Sequence, residues 1–155
     1  MNKITKRSFI ILGIISIITA TGGIFYNANS LAASFSGRFG QLILNYKLLY
    51  FYEAFYAMSS FCIFCYLILL FCGINFLRMK FQFVWLFVSI LTLEVVYFFA
   101  VAAFLNICKF DNLRLSISAA KVVANGGLMM QFLILFPLWG IGLAIWAKRK
   151  LKNSI

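Results

Sequence analysis

The 155-residue sequence contains no histidine, one proline and three acidic residues, Glu53, Glu94 and Asp111. Without histidine there is no imidazole to ligate haem or a metal, and no Ser-His-Asp relay. A glycine-rich phosphate loop and a dinucleotide fingerprint are missing as well. Charged residues make up 11% of the chain, where a soluble domain of this size carries about a quarter. No catalytic set, resident cofactor or metal site can be assembled from this inventory, and the expectation is a protein that is not an enzyme.

What is present is apolar: 65% of the residues are hydrophobic, and 19 of them are phenylalanine. In water such a chain exposes large greasy patches; in lipid the composition is ordinary. Four continuous apolar blocks stand out, at about 8–25, 56–77, 83–105 and 128–146. Each approaches or exceeds the ~20 residues needed to span a bilayer as a helix. They lack the short alternation of a membrane barrel, and a helix satisfies its own backbone polar groups. The predicted fold is an all-α, integral membrane four-helix bundle forming a single domain. Short interfacial helices are expected in its two outer loops.

Nine of the fourteen Lys and Arg fall in three short segments: Lys3, Lys6 and Arg7; Arg78 and Lys80; Lys148, Arg149, Lys150 and Lys152. The other five are spread over the two longer loops. The positive-inside rule then puts both termini and the middle turn on the cytoplasmic side or its equivalent. The net charge of +11 follows from this topology and from anionic lipid heads rather than from nucleic-acid binding. A cleaved signal peptide is the rival account of the first block, with Met1–Arg7 as a basic leader and Ser30-Leu31-Ala32 as the cleavage site.

The first outer loop is expected over about Tyr26–Phe55, with helix plausible from Gln41 to Cys72 because Gly and Pro are absent there. In the last loop Asp111 can cap a short helix carrying Leu113, Ile117 and Ala120 on one face.

Glu94 is the chief candidate site. It lies near the middle of the third block, where an ionisable group is costly and faces protein or a wet cavity. No Lys or Arg lies in any of the four blocks, so three roles stand open: a hydrogen bond to Tyr97 one turn on, a cation on a partner subunit, or a proton or cation site. Cys62 and Cys65 form a C-x-x-C near the outer end of the second block. In spacing and location this resembles the quinone-reducing, disulfide-forming membrane oxidoreductases, which are also four-helix bundles. The chain departs from that family in offering only Cys108 for a second cysteine pair, and in placing Tyr66 and Leu67 where an acidic–basic pair belongs. Packing is therefore the expected role of the two thiols.

Gly13, Ser16, Ala20 and Gly23 form a small-residue stripe of the kind that lets membrane helices approach closely. Gly140 and Gly142 offer the same in the fourth block, and Pro137 predicts a local kink there. The functional expectation is a structural, assembly or accessory subunit of a larger membrane complex, whose partners are lipid and either other membrane subunits or copies of itself. The alternative is a small oligomeric transporter or channel using Glu94. Small multidrug antiporters are similar in general design, although their acid lies in the first helix. Further alternatives are a membrane thiol oxidoreductase using Cys62 and Cys65, and a holin-like pore former, which fits the size and the basic tail.

Overall fold

A computed structural model describes residues 3–35, 49–107 and 135–152. Among the described residues the chain is all-helical. It contains α1 (Lys3–Phe35), α2 (Leu49–Leu77), a 3-10 turn (Phe81–Phe83), α3 (Val84–Ile107) and α4 (Phe136–Lys152). The Asp111–Ala124 segment, Cys108, the start of the helix expected from Gln41 and the first part of the fourth block lie outside these residues.

Stretches of α1 and α2, Ile4–Asn29 and Ser59–Leu77, are long and apolar enough to cross a membrane, with mean hydropathies of 2.1 and 2.3. Only 33% and 28% of their most apolar windows are buried. A helix at the core of a soluble protein hides most of its apolar face, and these two leave most of it outside. In α3 the stretch Phe81–Tyr97 is apolar but shorter.

α1 continues well beyond its apolar block. Residues expected to open the first outer loop, Asn27, Asn29, Ser30 and Ser34, are helical to Phe35. Neither Gly nor Pro interrupts the chain between Gly23 and Gly37, and the Asn27 side-chain amide donates to the Gly23 carbonyl at 2.8 Å, within its own helix. Polarity suggested a loop there, but polarity alone does not end a helix. From the other side, α2 runs unbroken from Leu49, and its 29 residues extend over roughly 43 Å.

α2 ends in a Schellman motif. Lys80 N–H donates to Asn75 O at 2.9 Å and Met79 N–H to Phe76 O at 3.0 Å. The motif requires a left-handed residue after the helix, and Met79 takes that place with φ 58° although it is not glycine. The chain reverses within a few residues and enters α3 through the 3-10 turn, so α2 and α3 form a tight hairpin.

α1 lies antiparallel to α2 in the most extensive interface of the fold. A Cβ on Gly13 would stand 2.9 Å from the Gly73 carbonyl, and one on Gly73 would stand 3.0 Å from the Gly13 carbonyl. The two backbones therefore meet where both side chains are absent, and Ser16 and Ala20 are fully buried beside them. Ser16 returns its hydroxyl to Leu12 O at 2.6 Å, so its burial leaves no unpaired donor. α4 packs on α3 through Gly140, whose added Cβ would meet Leu91 at 3.1 Å; Gly142 faces open space. Pro137 lies in the first described turn of α4, and the first part of the fourth block, against which a kink would be seen, lies outside the described residues.

The core is aromatic and continuous. Phe9 meets Phe76 edge-on at 5.4 Å, Phe76 meets Phe87 at 5.0 Å, and Phe87 meets Phe136 at 6.1 Å. One line of rings thus ties α1 to α2, α3 and α4. Each such pair adds about 0.5–1.5 kcal/mol beyond burial.

Candidate functional site

The hairpin sets the site. Tyr66 and Glu94 stand equally far from Lys80 along the chain, and a tight turn brings such positions opposite each other. The Tyr66 hydroxyl donates to Glu94 Oε1 at 3.0 Å. Tyr66 is held from behind by α1, where Gly23 leaves a gap; a Cβ on Gly23 would overlap the Tyr66 ring. The small-residue stripe thus makes room for α2 at Gly13 and for the Tyr66 ring at Gly23.

Glu94 finds its partner across the hairpin rather than one turn along its own helix, where Tyr97 stands. Tyr66 could have been found by counting outward from the Arg78–Lys80 turn. Searching within α3 for an i, i+3 neighbour misses a partner on another helix.

These side chains surround one cleft of about 190 Å³, lined by Phe61, Cys62, Cys65 and Tyr66 from α2 and by Ile90, Leu93, Glu94 and Tyr97 from α3. The two sites separated in the sequence, the Glu94–Tyr97 pair and the Cys62–Cys65 pair, therefore share a single space. The cleft is mostly apolar. Its polar atoms are one carboxylate, two phenol hydroxyls and two thiols.

Cys62, Cys65 and Cys72 are free thiols. Cys72 is fully buried in the core and takes no part in the cleft. Cys62 and Cys65 lie well inside α2, far from its N-terminus, so no helix-end charge activates them. Side chains three apart on a helix hold their Cβ atoms about 5–6 Å apart. A disulfide needs about 3.5–4.5 Å, so closing this pair requires α2 to distort. Among the described residues no group of three His, Cys, Asp or Glu side chains could hold a metal ion.

Among the described residues, basic groups from α1, the turn and α4 lie towards one end of the helices. Phe9, just after Arg7, packs on Phe81 beside the turn at 4.4 Å. Lys148 Nζ lies 5.5 Å over the Trp85 ring at the start of α3. Comparison with known protein families, characterised proteins and solved structures finds no match to this chain.

Proposed function

We propose that the chain is a multi-pass membrane protein that crosses the bilayer four times, keeps its termini and the Arg78–Lys80 turn in the cytoplasm, and serves as a structural or accessory subunit of a larger membrane complex. The observation that carries this is the outward face of all four helices. Ile11, Ile14 and Ile18 on α1 are exposed, as are Phe64 and Phe71 on α2, Trp85 and Val96 on α3, and Leu138 and Trp146 on α4. The Ser8 and Thr92 hydroxyls return to their own backbones, at Ile4 O and Val88 O, while the buried Thr19 hydroxyl has no partner among the described residues. An apolar outside around helices that satisfy their own backbones is the arrangement that lipid demands. The gathering of Lys148, Arg7 and the turn at one end supports a shared cytoplasmic side.

An accessory role accords with the apolar composition, the shortage of residues for a catalytic set and the small-residue seam between α1 and α2. The test is native mass after gentle detergent extraction from the source membrane. A defined hetero-complex is expected. A small homo-oligomer of this chain alone would refute the accessory role and promote the second reading, a transporter, which the carboxylate-bearing cleft between α2 and α3 favours.

A further inference from the structure

We propose that the cleft between α2 and α3 is a binding site for a compact organic monocation, an alkyl or quaternary ammonium, held by the Glu94 carboxylate and the rings of Phe61, Tyr66 and Tyr97. Three of the eight lining side chains are aromatic, and the acid is the single carboxylate among them. The Phe61 and Tyr97 rings have centroids 6.2 Å apart and are tilted by 40°. A cation in the space both rings line comes within the ~6 Å at which a ring face attracts it. The Tyr66 hydroxyl is engaged with Glu94, and the Tyr97 ring packs against Phe61, which holds the rings around the space.

Size and hydration select the class of cation. A dry apolar cavity of about 150 Å³ admits benzene, so the ~190 Å³ here suits a cation of roughly six to eight heavy atoms. A small metal ion would need several free oxygens to replace its water, and this cleft offers one carboxylate and two phenols, one of them already bonded to that carboxylate. A neutral apolar guest would fill the space without drawing on the carboxylate, whereas a cation uses the carboxylate and the ring faces together. None of the lining side chains is basic, so a cation facing Glu94 comes with the ligand. Glu94 stands ten residues into α3, about 15 Å along its axis, near the middle of a ~30 Å hydrocarbon core. A lipid headgroup resides at the interface, so the occupant is a free cation.

The site belongs to the single chain and does not depend on the accessory role. Protein purified in a neutral detergent is titrated calorimetrically with choline and with 3,3-dimethylbutan-1-ol, its uncharged isostere. Choline is expected to bind at least about tenfold more tightly than the isostere. Glu94→Gln should erase that preference. Phe61 is 41% exposed, so Phe61→Leu should fold normally; it should weaken choline roughly fivefold and leave the isostere unaffected. Equal affinity for the two probes, no saturable choline binding, or unchanged choline affinity in Phe61→Leu would each overturn the proposal. The outcome stands apart from the native-mass result, because a chain that binds choline can still be a subunit of a hetero-complex.

Discussion

Replacing Tyr66 by Phe deletes a single hydroxyl and leaves the ring seated against Gly23, so it isolates the bond to Glu94. In water, leaving a buried acceptor unpaired costs about 1–3 kcal/mol. Between membrane helices the measured coupling is smaller, about 0.6 kcal/mol on average and about 1.7 at most, because the unfolded chain in the membrane also finds partners. The 3.0 Å geometry and the partly buried setting argue for about 1 kcal/mol, near fivefold in the folding equilibrium. Glu94→Leu removes the acceptor and the cost of burying an acid but leaves the Tyr66 hydroxyl unpaired, so alone its two effects should largely offset. In the Glu94→Leu background Tyr66→Phe should cost nearly nothing, since replacing both partners by apolar groups is close to neutral. Reversible unfolding in mixed detergent micelles, followed by tryptophan fluorescence, measures all four proteins. None of the three tryptophans lines the cleft, so the signal reports the fold as a whole. Equal effects of Tyr66→Phe in both backgrounds, within about 0.3 kcal/mol, would show that the bond contributes nothing.

Gly13→Ala drives a methyl into the Gly73 backbone and should destabilise by about 1–3 kcal/mol. Gly22→Ala meets open space and should stabilise α1 by up to about 1 kcal/mol; the same unfolding assay separates the two. Met79→Gly relieves a left-handed non-glycine residue and should stabilise by about 1 kcal/mol, seen as a later unfolding midpoint. Cys62 and Cys65 should be alkylated without prior reduction, as read by mass spectrometry; a Cys62–Cys65 disulfide in resting protein would contradict the helix geometry. Reporters of cytoplasmic exposure at the N-terminus, Lys80 and the C-terminus should agree with one another and oppose one at Ser34; opposite signals from the two termini would exclude four crossings.

The helices were legible where hydropathy changes abruptly. Leu77 is both the expected end of the second block and the observed end of α2, because Arg78 and Lys80 follow immediately. The stretch from Tyr26 to Phe35 was not legible, since Asn and Ser suit both loops and helices and Asn27 bonds backward into its own turn. Glu94 was visible as an acid in an apolar run, while its partner depended on how two helices are phased across the turn. Tyr66 was visible too, but only as a departure from the oxidoreductase pattern. What located it is the reversal at Met79, a residue whose left-handed backbone nothing in its side chain announces.

The gap at Gly23 has a mechanical consequence. The Tyr66 ring fills the place where an α1 side chain would be, while its hydroxyl ends on Glu94 of α3. Every side chain lining the cleft comes from α2 or α3, yet α1 backs the lever that spans them. A ring wedged in this way cannot swing aside by rotating about its own bonds alone. One phenol thus joins three helices, seated against α1, carried by α2 and bonded to α3.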